Sequence, residues 1–127
     1  TKAMVVDDEV ALADLVAGWL EDLGMETKVA YKPDDAIRIA AEFKPGLLVS
    51  DANLGSEIDG LELARQLVER DPSLLVIFMT GFSERIKALQ AAGVATLAKP
   101  FSREDLAANV SSHLGQKLGT HQAARQP

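Results

Sequence analysis

The sequence predicts an α/β fold in which a parallel sheet of five strands is covered by helices on both faces. Short apolar runs alternate along the chain with segments whose apolar residues recur every three or four positions. The apolar runs are nearly continuous, as in strands that are buried on both faces. The length of 127 residues and the hydrophobic fraction of 47% suit one globular domain.

The five predicted strands are the apolar runs, and each is short. The longest, at 74–79, is too short to favour a helix and apolar enough to be fully buried. The second run is less apolar, so we expect it nearer an edge of the sheet. In chain order the predicted strands are residues 3–6, 27–30, 47–49, 74–79 and 94–98.

Five amphipathic segments between and after these runs predict the helices. The first carries a stripe of large apolar residues from Leu12 to Leu23 and ends before Gly24, where a helix commonly turns left-handed. The fourth, around Ile86 and Leu89, has the weakest stripe. The other three are expected between Pro33 and Lys44, across 63–68 and, behind a Ser102–Asp105 capping box, up to Leu114.

The last apolar stripe is lost beyond Gly115, and the rest of the chain is polar. We therefore predict a globular domain over residues 1–115, followed by a polar C-terminal tail or linker over residues 116–127. This division leaves no space within the sequence for a DNA-binding output domain.

Composition and charge exclude several classes of function. The sequence has no cysteine, which removes disulfides, thiolate metal sites and cysteine nucleophiles. Its 13 basic and 19 acidic residues give a net charge of −6, which disfavours nucleic-acid binding by this chain, because phosphate contacts need a clustered basic surface. No apolar run approaches the ~20 residues of a membrane-spanning helix, so we expect no membrane insertion by this chain and a cytoplasmic location.

Reactive side chains follow four of the five predicted strands. Parallel strands bring their carboxyl ends to one edge of the sheet, where ligands bind in open α/β folds. The residues concerned are Asp7, Asp8 and Glu9 after the first strand, Asp51 after the third, Thr80 after the fourth and Lys99 after the fifth.

This set of side chains points to metal-assisted phosphoryl chemistry. Carboxylates brought together repel each other unless a cation is present, and all-oxygen ligands suit Mg²⁺ or Mn²⁺. Mg²⁺ binds phosphate oxygens in turn, while Lys99 and Thr80 offer a positive charge and a hydroxyl donor to a phosphoryl group. An aspartate can itself be the nucleophile and become an aspartyl phosphate.

Each of these residues also has a purely structural interpretation. The acids at positions 7–9 can cap the first helix, and Asp51 can start an Asx turn. Thr80 is an ordinary strand residue, and a lysine before a proline, as at Lys99, is usually solvated. These interpretations do not explain why all four features fall at strand ends, and that coincidence favours a functional site.

Five short stretches of the sequence carry a resemblance to a known family. They are Met4-Val5-Val6-Asp7-Asp8-Glu9, Leu48-Val49-Ser50-Asp51, Asp59-Gly60-Leu61-Glu62-Leu63, Phe78-Met79-Thr80-Gly81 and Lys99-Pro100-Phe101. In order and spacing the set resembles the receiver domain of two-component response regulators, over residues 3–114. The resemblance implies a flavodoxin-like, doubly wound fold with strand order 2-1-3-4-5.

The resemblance also implies a phosphoacceptor and a metal site. Asp51 is similar to the aspartate that takes a phosphoryl group from a phosphohistidine on a sensor histidine kinase or a histidine phosphotransfer protein. Asp8, the Asp51 carboxylate and the backbone carbonyl of Asn53 resemble the ligands of Mg²⁺, for which Mn²⁺ can substitute. Asp7 is similar to the acid that helps hold the ion through water.

Further residues resemble those that complete the family's switch. Thr80 looks like the hydroxyl that turns toward the new phosphoryl group, and Lys99 like the lysine that pairs with the phosphoacceptor. The Lys99–Pro100 peptide is usually cis in the family, while Asn53 and Phe82 match positions that tune the loss of the phosphate. Such domains are switches rather than turnover enzymes, so self-catalysed phosphotransfer and slow autodephosphorylation are expected.

Two features depart from the family's pattern. The loop from Asp51 to Asp59 is one residue longer than is common, with Leu54-Gly55-Ser56 where Met-Pro is usual. Thr96 stands three residues before the lysine, in the place of the switch aromatic. The coupled movement of threonine and aromatic therefore cannot operate in its usual form, and we expect phosphorylation to be signalled through residues 80–82 and the fourth helix.

Other families share part of this pattern. A haloacid-dehalogenase-like phosphatase also uses an Asp nucleophile, Mg²⁺, Thr and Lys, but it needs Asp-x-Asp where this chain has Asp51-Ala52-Asn53. A flavin-binding module would need a phosphate loop where residues 7–9 are acidic. A scaffold receiver that is never phosphorylated would not need the complete set of acids, threonine and lysine. Receivers of hybrid histidine kinases and stand-alone receivers both look similar, and we expect a monomer or weak dimer.

Overall fold

A parallel five-stranded sheet forms the centre of the computed structural model, which describes residues 1–54 and 59–125. The strands are β1 (Lys2–Val6), β2 (Glu26–Ala30), β3 (Leu47–Asp51), β4 (Leu75–Thr80) and β5 (Ala95–Ala98). Their order in the sheet is β2-β1-β3-β4-β5, which confirms the doubly wound α/β fold expected from the sequence. Each strand lies within two residues of its predicted ends, the usual uncertainty of element boundaries.

Helices connect the strands and cover both faces of the sheet. They are α1 (Val10–Asp22), α2 (Pro33–Phe43), α3 (Gly60–Arg70), α4 (Ser83–Ala91) and α5 (Arg103–Arg125). The capping box predicted before α5 is confirmed, because the Ser102 hydroxyl accepts the Asp105 N–H and the Asp105 carboxylate accepts the Ser102 N–H, both at 3.0 Å. Gly24 follows α1 with a φ of 91°, the left-handed helix end predicted there.

The last helix continues past the residue at which its apolar stripe ends. α5 extends to Arg125, through a segment that contains several good helix formers. A helical backbone does not distinguish a tail from a linker, so the domain boundary at residue 115 stays a prediction. Neither α5 nor any other helix among the described residues has the length and apolar character needed to span a membrane.

Two apolar layers, one on each face of the sheet, hold the fold together. Side chains alternate along β1, so that Ala3 and Val5 face one layer while Met4 and Val6 face the other. The first layer contains the apolar faces of α1 and α5, and the second contains those of α2 and α3. In contrast, the described side chains of α4 are all half-buried or exposed.

The register of the parallel strands brings the predicted reactive residues to one edge. Val6 of β1 pairs with Ser50 of β3, and Thr80 of β4 pairs with Ala98 of β5. The residues that follow these positions therefore emerge side by side at the carboxyl end of the sheet. The longer loop predicted after Asp51 lies partly outside the described residues, which omit 55–58.

Candidate functional site

An ion-paired triad of two acids and one lysine forms the floor of the site. The Lys99 Nζ donates to Oδ2 of Asp51 at 3.0 Å and to Oδ2 of Asp7 at 3.1 Å. Asp7 is fully buried, and Asp51 is 8% exposed. Residues 7 and 99 are far apart in sequence, so only the parallel sheet brings them together. The alternative interpretation of Lys99 as a solvated surface lysine is therefore wrong, since its side chain is half-buried and paired with both acids.

Asp8 completes an acidic cluster with the other two aspartates. One carboxylate oxygen from each of Asp7, Asp8 and Asp51 lies within 4.8 Å of the other two. Asp8 is exposed, so the cluster opens to solvent on the side of Asp8 and is closed by the sheet beneath Asp7. Three carboxylates at this spacing can hold a metal ion, and hard oxygen ligands favour a divalent cation such as Mg²⁺.

The charges of the triad are not balanced. Burial raises the pKa of the Asp7 carboxyl above its usual value, because desolvation outweighs the hydrogen bonds from Glu9 and Lys99. Burial alone would lower the pKa of the Lys99 ammonium, but hydrogen bonds and charge from Asp51 and Asp7 outweigh it and raise that pKa. The lysine is therefore held charged, but its charge does not offset the rise that burial causes in the pKa of Asp7. A bound divalent cation would supply positive charge here, so the residues fit a metal site.

Tight turns fix Asp7 and Asp51 at the ends of their strands. Asp7 Oδ1 accepts the Glu9 N–H at 2.9 Å, and Asp51 Oδ1 accepts the Asn53 N–H at 2.9 Å. These are Asx turns, so the structural interpretation of Asp51 is also correct. Each turn uses Oδ1 and leaves Oδ2 for Lys99. Glu9, the N-cap residue of α1, makes no side-chain capping hydrogen bond.

Thr80 stands beside the triad without joining it. Its side chain is fully buried, and Oγ1 accepts the Phe82 N–H at 3.1 Å. Asp51 pairs with Met79, the residue before Thr80, across the β3–β4 ladder. The Lys99–Pro100 peptide is cis, as the resemblance implies. Thr96 is half-buried, and its carbonyl accepts from the Asn109 amide at 3.0 Å.

Two residues at this edge have roles that the sequence analysis missed. A side-chain carbon at Gly60 would collide with the backbone carbonyl of Asp51, so α3 begins in direct contact with β3. The Gly60 N–H also donates to the Ala52 carbonyl at 3.1 Å. From α4, Arg85 Nη1 lies 3.4 Å from the same carbonyl. An Asp-Gly pair before a helix was a visible signal for Gly60, whereas nothing local pointed to Arg85.

Comparisons with known proteins identify the family. The sequence profile of the response regulator receiver domain matches residues 3–111. TrcR, a transcriptional regulatory protein of Mycobacterium tuberculosis, is 34% identical over 122 residues, covering 89% of this chain and 47% of TrcR. The nitrogen assimilation regulatory protein NtrX of Azorhizobium caulinodans is 33% identical over 107 residues, covering 81% of this chain and 24% of NtrX. The chain thus spans less than half the length of both relatives.

Solved structures agree with the sheet described above. The receiver domain of NtrX from Brucella abortus superposes with a TM-score of 0.80 at 35% identity, covering 89% of this chain and 98% of that domain. A CheY-like receiver domain protein from Methanospirillum hungatei gives a TM-score of 0.82 at 24% identity, covers 94% of this chain and 98% of that protein, and shares the fold. These findings give no support to the phosphatase alternative. The chain belongs to the response regulator receiver domain family, the phospho-accepting switches of two-component signalling that work with histidine kinases.

Proposed function

We propose that Asp51 is the residue that accepts the phosphoryl group. One observation carries this assignment: Asp51 is the only member of the acidic cluster that ends the central strand β3 and, with Oδ2, contacts Lys99 at the open edge of the sheet. Asp7 is fully buried, which keeps an attacking donor away from it. The donor we expect is a phosphohistidine of a sensor histidine kinase or a histidine phosphotransfer protein.

The transfer exchanges one bond to phosphorus for another. A carboxylate oxygen of Asp51 forms the new P–O bond, and the P–N bond to the donor imidazole breaks with its electron pair staying on nitrogen. Lys99 offers its charge to the incoming phosphoryl oxygens, since it already lies 3.0 Å from the carboxylate. Thr80 would turn its hydroxyl from the Phe82 N–H toward the phosphoryl group. The protein gains a modified surface rather than a turned-over product.

Metal binding is assigned to the acidic cluster. Asp8, the Asp51 carboxylate and the backbone carbonyl of Asn53 would hold Mg²⁺ or Mn²⁺, and Asp7 would hold it through water. When bound, the ion would neutralise charge on the carboxylates and on the transferred group. The spacing of the three aspartates and the raised pKa of Asp7 support this assignment.

We propose that phosphorylation is signalled through a structural change in residues 80–93. Thr96 provides no aromatic ring to follow Thr80, whereas the Phe82 N–H is already bonded to the Thr80 hydroxyl at the start of α4. A movement of Thr80 would therefore act on α4 directly. Backbone NMR shifts with and without beryllofluoride, a phosphoryl analogue, should change across 80–93, and an unmoved segment would refute this route.

Phosphorylation by acetyl phosphate tests the assignment of Asp51. Incubation with acetyl phosphate and Mg²⁺ should add one phosphoryl group to the protein, detected by intact mass. Asp51→Asn should abolish the addition, whereas Asp34→Asn, a matched change of an exposed acid on α2, should not. Labelling that persists in Asp51→Asn would show that another residue is the nucleophile. Asp8→Ala should weaken Mg²⁺ binding measured by calorimetry.

The wider role of the chain follows from the same proposal. We place the switch in residues 1–115 and expect residues 116–127 to serve as a tail or linker. Output then requires a partner or a further domain, and both hybrid-kinase and stand-alone receivers fit this arrangement. A monomer or weak dimer is expected, which sedimentation of the phosphorylated and unphosphorylated chain would test.

A further inference from the structure

Arg85 is held loosely at the open side of the phosphorylation site. It lies in the first turn of α4, with its side chain 33% exposed. Its Nη1 is 3.4 Å from the Ala52 carbonyl and 3.9 Å from Asp59 Oδ2. Charge-assisted hydrogen bonds are usually about 2.7–2.9 Å long, so both contacts are weak. A guanidinium with five N–H donors therefore remains available for a stronger acceptor.

A second hydrogen-bond donor without an acceptor lies close to Arg85. Arg85, Asn53, Phe82 and Glu84 line an open cleft of about 430 Å³, and the Asn53 N–H donates to Asp51 Oδ1 at 2.9 Å. In the described part of the chain, the buried amide nitrogen of Asn53 has no hydrogen-bond partner. Buried donors without an acceptor are costly, so a site that leaves one is suited to a ligand that brings acceptors. A phosphoryl group on Asp51 would bring oxygens to this cleft.

Phosphorylation also adds negative charge to a site that is already acidic. Lys99 already forms ion pairs with both Asp7 and Asp51. Phosphorylation replaces the single negative charge of Asp51 with roughly two, by analogy with other phosphorylated side chains. Among the described residues, Arg85 is the basic side chain that contacts the backbone directly after Asp51. A guanidinium is also well shaped to bind phosphoryl oxygens in pairs.

We propose that Arg85 binds the phosphoryl group on Asp51, exchanging the Ala52 carbonyl and Asp59 for phosphoryl oxygens. The inference rests on the proposed role of Asp51. Because Arg85 belongs to α4, whose described side chains are half-buried or exposed, this exchange draws the start of α4 toward β3 at little packing cost. Arg85 thereby supplies a link between phosphorylation and α4 that does not need an aromatic at position 96.

Beryllofluoride binding in the presence of Mg²⁺ tests the proposal. Arg85→Gln should weaken beryllofluoride affinity about tenfold, the usual effect of losing a hydrogen bond between charged groups, while Mg²⁺ affinity without beryllofluoride stays the same. Arg85→Lys should keep part of the affinity because it keeps the charge. The matched control is Lys87→Gln, which removes an exposed charge from the same helix and should have no effect.

Asp59→Asn should change beryllofluoride affinity in the opposite direction. Asp59 caps α3 through Oδ1, which accepts the Glu62 N–H at 2.9 Å, and asparagine caps helices about as well. Removing its charge should release Arg85 and tighten beryllofluoride binding about two- to threefold. In the Arg85→Gln background this gain should disappear, which separates the effect of Arg85 from a general loss of negative charge.

The outcomes separate this inference from the proposed function. If the parent protein binds no beryllofluoride, or if Asp51→Asn binds it equally well, the role of Asp51 is wrong and the role of Arg85 falls with it. If the parent binds beryllofluoride and Arg85→Gln binds it as tightly, Asp51 stands and Arg85 alone is refuted. The side-chain Nε–H resonance of Arg85 should also shift on binding, and an unmoved resonance would likewise refute its contact.

Discussion

The two flanks of the proposed phosphorylation site are packed very differently. On one side, α1 and α5 contribute Val16, Leu20, Leu106 and Val110 to the core, each at most 1% exposed. On the other side, α4 buries none of its described side chains, and Phe82 at its N-cap is 64% exposed. The acids at the ends of β1 and β3 are thus anchored to a firm layer. A chemical change at Asp51 should therefore alter the structure most easily at α4, where packing is weakest.

Truncating one leucine on each flank should give the largest contrast. Leu106→Ala removes a fully buried side chain of α5 and should lower the free energy of unfolding by about 2–5 kcal/mol. Leu89→Ala removes a half-buried side chain of α4 and should cost only about 1 kcal/mol. Urea unfolding of both variants measures this difference. Equal losses would mean that α4 is as firmly packed as α5, against the comparison.

A pair of glycine substitutions tests how closely α3 is fitted to β3. Gly60→Ala places a carbon against the Asp51 carbonyl and should lower the free energy of unfolding by about 1–3 kcal/mol. The matched control is Gly18→Ala in the middle of α1, where an added Cβ would meet nothing within 4 Å apart from its neighbours and the backbone of its own helix; it should stabilise the protein by about 0.5–1 kcal/mol. If Gly60→Ala is as stable as the parent protein, the contact between α3 and β3 is not rigid.

Amide hydrogen exchange compares the flanks without any substitution. The amides of α4 should exchange at least about tenfold faster than those in the middle of α1, because fewer buried contacts oppose the local opening of α4. Beryllofluoride with Mg²⁺ should slow exchange in α4 and leave α1 nearly unchanged. If both helices exchange at the same rate, or respond equally to beryllofluoride, the weak packing of α4 cannot explain how phosphorylation is signalled to the surface.

The firm parts of the molecule were the ones that the sequence predicted best. Continuous apolar runs mark buried strands and helical stripes mark helices, so all five strands could be located to within two residues and every helix was found, although the ends of α3 and α5 were missed by more. Parallel topology then placed the ends of four strands together, which is why Asp7, Asp51 and Lys99 were predicted to meet. The order of the strands came from the family resemblance, because periodicity does not specify which strands are neighbours.

The features that sequence analysis missed depend on contacts between distant elements. Arg85 meets Ala52 across 33 positions of sequence, and α4 has too weak a stripe to orient its side chains by pattern. The end of α5 was predicted too early because the apolar stripe, rather than helix propensity, was used to define it. That Asp51 both forms an Asx turn and pairs with Lys99 could not be predicted either, since each interpretation seemed to exclude the other.

The smallest effect is expected from an exposed ion pair in the first turn of α3. Hydrogen bonds from Arg65, and a weaker one from Gln66, lower the pKa of the exposed Glu62 carboxyl from 4.5 to about 2. Because the folded-state pKa lies below the unfolded value, the stabilising contribution is complete above pH 4.5 and is lost as the pH falls toward 2. Both side chains are exposed, so solvent screens the pair and the effect on stability is small.

Arg65→Gln should therefore raise the pKa of Glu62 toward 4.5, measured by carboxyl ¹³C NMR titration. Arg38→Gln is the matched control, because it breaks a similar exposed pair with Asp35 on α2 and should leave Glu62 unchanged. The start of α4 makes no side-chain cap hydrogen bond, whereas α3 combines the Asp59 cap with this ion pair. If Glu62 still titrates near 2 in Arg65→Gln, the helix N-terminus rather than Arg65 lowers its pKa, and this ion pair does not contribute to the difference between α3 and α4.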